Sequence, residues 1–314
     1  MWDTDNLKKP NPPMPNLPLS QALSTLAEAI DQLALLVANQ KTEDNAEQVK
    51  QFSVIVQKFK QVSLAADLDT AQKHDWGAKY TKGYLKKWLR DINLVPAQAQ
   101  ESLKADTYVN NAAEYLANNF SQLAEFYQKL KYGQSLKRNF TYTTNANAMS
   151  YIVQWCKMLH KQKFIDEVVE KQTEVFVDIA EMAEATSFIN GFWLELVLRS
   201  QISKLIKANF ESISSFDILS QLHLLKPDNK MTELDLLIMI NDRVFWFECK
   251  TGDIGSYYKT FADHRALLGL DYTQAAVLIP AANVHMTSNF RKKSGMQTLD
   301  AADLYTQLQE IIFK

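Results

Sequence analysis

Cysteine is almost missing from this chain: Cys156 and Cys249 are the only two in 314 residues. Two thiols so far apart exclude a disulfide framework and a four-cysteine zinc site. No apolar run reaches the roughly 18–20 residues that span a bilayer. The N-terminal "MWDTDNLKKPNPPMPNLP" has no apolar core of the kind a secretory leader carries. A cytoplasmic protein with no membrane partner is the expectation. An excess of one charge is missing too, since 34 Lys and Arg stand against 36 Asp and Glu, a formal net charge of −2. Any surface for a polyanion must therefore be local. Glycine is scarce, 8 residues where the usual share is about 7%, so tight turns are few and long helices favoured. No glycine precedes Gly77, and Gly252, Gly255 and Gly269 follow one another closely.

What is present fits a globular protein of up to two domains, 46% apolar and 22% charged. Residues 1–18 read as a flexible, proline-rich arm. Leu19, Leu23, Leu26, Ile30, Leu33 and Val37 then recur at alternating spacings of four and three. That stripe serves either a coiled-coil dimer seam or one face of an ordinary helical bundle. Phe52, Ile55, Val56, Phe59 and Val62 mark a second amphipathic helix, which makes an antiparallel hairpin. In "WGAKYTKGYLKKWLR" (76–90) lysines interleave with aromatics. The pattern suits phosphate and base contacts, and it suits still better a surface helix with solvated lysines. Residues 101–132 read as helix, with Leu103, Tyr115, Leu116, Phe120, Leu123 and Tyr127 toward a core. The polar, turn-rich "GQSLKRNFTYTTNANA" (133–148) closes a helical N-terminal domain of residues 19–148.

Residues 149–314 read as a second, α/β domain. Residues 149–170 are expected to be helical, and "TEVFVDIA" a short strand. A strong helix begins near Thr186 or Asn190 and carries Glu195 in its first turns. The period then changes to two. "ISSFDILSQLHLLK", "ELDLLIMI", "RVFWFECK" and "QAAVLIP" read as strands, "YYKTFADHRALLGL" and "AADLYTQLQEIIF" as helices. The crossover near the end implies that the last of these strands lies parallel to a neighbour.

Within "ELDLLIMINDRVFWFECKTG" (233–252), Asn241-Asp242 separates two strand-like runs. A two-residue turn there pairs Ile240 with Arg243. Counting outward, Met239 meets Val244, Leu237 meets Trp246, and Asp235 meets Glu248. Alternation puts Asp235, Glu248 and Lys250 on one face at one end of the hairpin. Two carboxylates opposite each other destabilise a sheet, and burial raises the cost. A divalent cation between them reverses the sign, and hard oxygen ligands suit Mg²⁺ or Mn²⁺. Lys250 beside them suits an attacking water or a charged phosphoryl group. The plain alternative is an ion pair on a solvated strand with Asp235 at a fraying end.

Asp235 … Glu248-Cys249-Lys250 resembles the PD-(D/E)xK, restriction-endonuclease-like nuclease superfamily. "SFINGFWLE" (187–195) is similar to the G-x-W-L-E segment opening the nuclease domain of CARF-containing CRISPR ancillary nucleases and their relatives without CARF. The likeness covers about residues 174–314. Leu234 stands where the family often has proline. The expected fold class is thus a helical N-terminal domain followed by a restriction-endonuclease-like α/β domain with a mixed central sheet. The resemblance implies metal-dependent phosphodiester hydrolysis of DNA or RNA in defence or repair. Asp235, Glu248, the Cys249 backbone carbonyl and Glu195 would hold the cation, and Lys250 would position or activate the water. Lys259 and Arg265 are candidates for phosphate contacts, while His264 reads as structural. The first 140 residues look helical rather than like a CARF domain, so cyclic-oligoadenylate sensing is not implied. A homodimer is expected. The competing reading is a nucleic-acid-binding or scaffold protein that keeps the fold without cleaving; a third is a toxin-like effector gated by the N-terminal region.

Overall fold

The period-two apolar runs become the interior strands of one mixed sheet. The structure is a computed structural model that describes residues 79–101, 107–136, 138–282 and 284–313. The arm at 1–18 and the apolar stripes between 19 and 62 lie outside the described residues. From Tyr84 onward the order is α1 (Tyr84–Asp91), β1 (Val95–Gln100), α2 (Thr107–Asn118), α3 (Phe120–Leu136), β2 (Asn139–Thr143), α4 (Ala146–Lys161), β3 (Ile165–Glu170) and β4 (Glu174–Ile179). A short α5 (Ala183–Ser187) runs through a π turn (Phe188–Phe192) into α6 (Trp193–Ala208). The rest is β5 (Phe216–Leu225), β6 (Met231–Ile240), β7 (Arg243–Cys249), α7 (Tyr258–Leu267), β8 (Ala275–Ile279), α8 (Val284–Ser294), β9 (Gln297–Asp300) and α9 (Leu304–Phe313).

The six-stranded sheet is ordered β1-β5-β6-β7-β8-β9. Its first four strands are antiparallel neighbours, and β7, β8 and β9 are parallel. Parallel pairing requires crossovers, which α7 and α8 supply, so the parallel neighbour expected for the strand at 275–279 is β7. A mixed central sheet in an α/β arrangement is therefore present. Both faces of the β6–β7 hairpin are buried. Leu237, Met239, Val244 and Trp246 pack with Leu85 and Leu89 of α1 and Phe261 of α7. Leu236, Ile238, Phe245 and Phe247 are buried on the other side.

A smaller sheet, β2-β4-β3, stands apart. It corrects two expectations. The helix expected over 149–170 ends at Lys161, and Ile165–Glu170 is strand β3. The segment at 133–148, expected to be turn-rich, carries the end of α3, strand β2 and the first residues of α4. Likewise β1, within the stretch expected to be helical, pairs with β5 in the main sheet. From Tyr84 on, the lysine-aromatic stretch is the ordinary surface helix: α1 buries Leu85 and Leu89, while Lys86 on it and Lys82 just before it pair with Glu101. Both cysteines are free and buried. Among the described residues, no helix is long and apolar enough to cross a membrane.

Candidate active site

Asn241 and Asp242 both have positive φ, 50° and 64°, the geometry of a type I′ hairpin turn, which asparagine and aspartate tolerate. The register counted from that turn holds from Ile240↔Arg243 through Met239↔Val244, Leu237↔Trp246 and Leu236↔Phe247. Beyond that pair the backbone ladder gives way to side-chain bonds. The Asp235 N–H donates to Glu248 Oε1 at 3.2 Å, and the Cys249 N–H donates to Asp235 Oδ2 at 2.7 Å. The two acids thus face each other where the counting puts them, and they stitch the end of the hairpin through their oxygens.

Glu248 is 3% exposed. Its Oε1 also accepts from Trp246 Nε1 at 3.0 Å, and its Oε2 lies 3.2 Å from Lys250 Nζ. Lys250 Nζ is 3.8 Å from Asp235 Oδ2 and sits over the rings of Tyr257 and Phe261. Burial by itself would lower the lysine's pKa, but Glu248 and Asp235 outweigh it and raise it above the ordinary value. Lys250 is therefore a fixed ammonium, a donor and a positive charge rather than a base.

Glu195 comes from α6, one turn after the π segment. Gly191, with φ 141°, makes the bend. A Cβ there would lie 2.9 Å from Thr251 Oγ1, so only glycine lets this segment close on the residue after Lys250. Trp193 locks the start of α6 by stacking on Phe120 and meeting Tyr127 edge-on. The Tyr127 hydroxyl donates to the Ile189 carbonyl at 2.9 Å. The glycine and tryptophan of "NGFWLE" thus aim Glu195 at the hairpin end.

A cavity of about 530 Å³ opens there, lined among others by Glu195, Asp235, Cys249 and Lys250. Glu248 stands behind Asp235 and Lys250 and does not line it. Among the lining residues that the sequence does not mark are Glu233, Gln221, Thr251 and Lys131. Gln221 is opposite Asp235 in β5, where the β5–β6 pairing skips from Ser220↔Leu236 to Leu222↔Leu234. Its φ of 47° is left-handed, a local strain that interrupts the ladder beside the acids. The β5–β6 register is unchanged across this gap, and the shift falls on the β1 side, between Gln98↔His223 and Gln100↔Ser220; period-two alternation in "DILSQLHLL" hides it. Thr251 Oγ1 donates to the Asn190 carbonyl at 3.2 Å and accepts from Lys131 Nζ at 3.0 Å. Lys131 projects from α3, in a stretch where the sequence marks it as one lysine among several.

The structure does not bring Lys259 and Arg265 to this cavity. Lys259 is exposed on α7, and Arg265 Nη1 donates to the Leu270 carbonyl at 2.7 Å, fastening the end of that helix. His264 lies with Nε2 2.9 Å from Thr232 Oγ1 and its ring against Trp246.

The electrostatics of the three acids are unfavourable as they stand. Burial, then Asp235, pushes the Glu195 carboxyl up to about 8. Burial likewise raises Asp235, and burial and then Asp235 raise Glu248. Glu195 Oε2 is buried without a hydrogen-bond partner. Among the described residues, no group of three His, Cys, Asp or Glu side chains is placed to hold a metal ion as it stands. The oxygens of Asp235 and Glu248 are engaged instead by N–H groups and Lys250. The donor chemistry nevertheless fits a hard divalent cation: crowded carboxylates, with one buried oxygen unpartnered beside a cavity.

No protein-family model matches the chain, and no curated protein matches it. Two solved structures are similar in fold. One is Can2 from Sulfobacillus thermosulfidooxidans in complex with cyclic tetra-adenylate, with 16% identity, a TM-score of 0.55, and coverage of 73% of this chain and 61% of that one. The other is protein VC1899 from Vibrio cholerae, with 16% identity, a TM-score of 0.51, and coverage of 72% and 60%. This chain spans about three fifths of the length of either. At this identity the likeness is one of fold.

Proposed function

We propose that this chain is a metal-dependent nuclease hydrolysing phosphodiester bonds of DNA or RNA, in a defence or repair setting. The observation that carries the reading is the meeting of Glu195, Asp235 and Lys250 at one cavity, with Glu248 behind them paired to Lys250 and with Glu195 Oε2 buried and unpartnered. Such a cluster costs stability as packing, and the cost makes sense where a cation and a phosphate complete it. Asp235, Glu248, Glu195 and the Cys249 backbone carbonyl would hold Mg²⁺ or Mn²⁺, and Glu248 would give up its bond to Lys250 to do so. When bound, the ion supplies Lewis acidity toward the phosphate and makes bound water more acidic.

The chain's own residues do the rest. Lys250, held charged, donates hydrogen bonds to the attacking water or to a non-bridging phosphate oxygen and offsets the negative charge that grows as the phosphorus is attacked. Tyr257 and Phe261 flank that ammonium and keep it from swinging into solvent. Thr251, tied to Asn190, fixes the backbone after Lys250 against the segment that aims Glu195. The likeness to Can2 supports the fold of this reading. The cyclic tetra-adenylate of that complex is not carried over to this chain.

The test incubates the protein with supercoiled plasmid, linear duplex, single-stranded DNA and RNA, with and without Mg²⁺ or Mn²⁺, beside Glu248→Ala. Metal-dependent cutting by the wild type alone is expected. Equal behaviour of the two proteins on every substrate sinks the nuclease reading, and cutting that persists in the variant comes from another site or a contaminant. The reading includes a homodimer through residues 19–66. Light scattering of the full chain and of one lacking residues 1–66 tests that, and an unchanged association state sinks it.

A further inference from the structure

The cavity at the acids does not end at Lys131. Lys131, Thr251 and Gly252 also line a second cavity of about 360 Å³, whose other wall is Phe120, Gln128 and Tyr132. The two cavities therefore share an edge, and the ammonium of Lys131 stands on it. Lys131 differs from Lys250 in one decisive way. Lys250 lies between two carboxylates, whereas the described partner of Lys131 is the neutral hydroxyl of Thr251. Among the described residues Lys131 has no carboxylate partner, and burial lowers its pKa with no carboxylate opposing the shift. A half-buried cation without an anion is costly unless a ligand supplies one. The acid on the same rim, Asp253, already accepts from the Gly255 N–H at 2.8 Å.

Beyond Lys131 the wall is aromatic. Tyr132 is 66% exposed, the next residue along α3. A cation followed by an exposed aromatic ring is the pattern that holds one strand of nucleic acid, with phosphate on the amine and base on the ring. The size agrees. A cavity of about 360 Å³ is at the small end of pockets that take a compact ligand of about 300–1,000 Å³, room for a nucleotide and not for stacked base pairs.

We propose that the α3 wall, with Lys131 for a phosphate and Tyr132 for a base, is a subsite for a single strand of nucleic acid running off the candidate active site. The proposal deepens the nuclease reading and rests on it for the kind of ligand. It is independent of that reading in its measurement, which is binding rather than cleavage.

The experiment uses the full chain in chelator and follows fluorescence anisotropy of a labelled single strand and of a labelled hairpin duplex of the same composition. The strand binds more tightly than the duplex. Lys131→Glu weakens strand binding at least about tenfold, and Tyr132→Ala, on an exposed position, at least about fivefold. Lys131→Arg restores most of the loss, and Lys171→Glu, an exposed charge away from both cavities, changes it less than about twofold. Thermal melts of each variant separate loss of the subsite from loss of the fold, and Tyr132→Ala keeps the test open if Lys131→Glu does not fold. Wild-type affinity in both Lys131→Glu and Tyr132→Ala overturns the proposal. Tighter binding of the duplex overturns it, as does absence of binding to either probe. Strand binding that follows these variants in a chain that cuts nothing leaves the subsite standing and removes the nuclease reading; cutting with unchanged binding does the reverse.

Discussion

Asp217 and the three acids at the hairpin end are all buried, and their surroundings treat them in opposite ways. Asp217 in β5 is completely buried, yet its oxygens are met by the N–H groups of Leu85 and Ile218, each at 2.8 Å. The first of these belongs to the opening turn of α1, whose N-cap Gly83 offers no side chain. Asp217 thus caps a helix from across the sheet, where a negative charge is favoured. Burial still raises its pKa, but those backbone donors oppose the rise. Glu195, Asp235 and Glu248 are buried beside one another; Asp235 raises the cost of ionising both glutamates, and Glu248 raises that of Glu195. A buried carboxylate is therefore no mark of a site by itself. The mark is a carboxylate whose surroundings repel it and leave an oxygen unused.

The comparison breaks most sharply under substitution. Glu248→Gln keeps the shape and removes the charge, so cleavage falls about a thousandfold or more, several kcal/mol of lost ion binding and transition-state stabilisation, while the melting temperature shifts little, the relief of a buried charge set against the lost pair with Lys250. Single-turnover cutting beside a thermal melt reads both. If Glu248→Gln lowers stability and leaves cutting intact, the acids are structural and the contrast with Asp217 collapses.

Asp217→Ala does the opposite. It strands two buried N–H groups and uncaps α1, at a cost of about 2–4 kcal/mol. Denaturant unfolding shows the loss, and cleavage per folded molecule is unchanged. A variant as stable as the wild type would mean that water replaces the carboxylate without penalty.

A smaller effect sharpens the electrostatic side. With Glu195 at about 8 in the folded chain against an ordinary 4.5, the native state holds a proton that the unfolded state has released. That contribution to stability is fully present below about pH 4.5 and lost as the pH rises through about 8. In chelator the melting temperature should fall by several degrees between about pH 5 and about pH 9, and Glu195→Gln should flatten the curve from the alkaline side. Mg²⁺ should restore the wild type at high pH more than the variant. A wild-type curve that rises with pH contradicts the raised carboxyl.

The hairpin end was legible because the turn was: "IND" flanked by apolar runs sets the register, and the register sets the acids face to face. The interior strands β5, β6, β7 and β8 and the centre strand β4 were legible for a related reason, since burial demands Val, Ile, Leu and Phe there. The strands that escaped, β1, β2, β3 and β9, are all edges. An edge strand is half solvated and carries sequences such as "VPAQAQ" or "IDEVVE", with too few apolar residues to show a period. The rest of the site escaped for another reason. Lys131 reaches the cavity through tertiary packing, and neither helix period nor strand alternation encodes a contact with a segment more than a hundred residues away; Gln221 escaped because its left-handed backbone leaves no mark on the strand alternation.

The smallest expected effect extends the comparison to cations. Arg265, from its sequence position, was a candidate for phosphate, but its Nη1 donates to the Leu270 carbonyl and its guanidinium packs against the backbone at Gly295. It is to the end of α7 what Asp217 is to the start of α1, a charge answered by backbone. Arg265→Ala should then cost about 1 kcal/mol of stability, the worth of one charge-assisted bond. Its cleavage per folded molecule should stay within about twofold of the wild type, as should that of Lys259→Ala, an exposed charge. Salt titration of strand binding supplies the discriminating number: each phosphate contact removed lowers the slope of log affinity against log salt by about one. An unchanged slope in Arg265→Ala and a reduced one in Lys131→Ala separates the charge that serves the fold from the charge that faces the substrate.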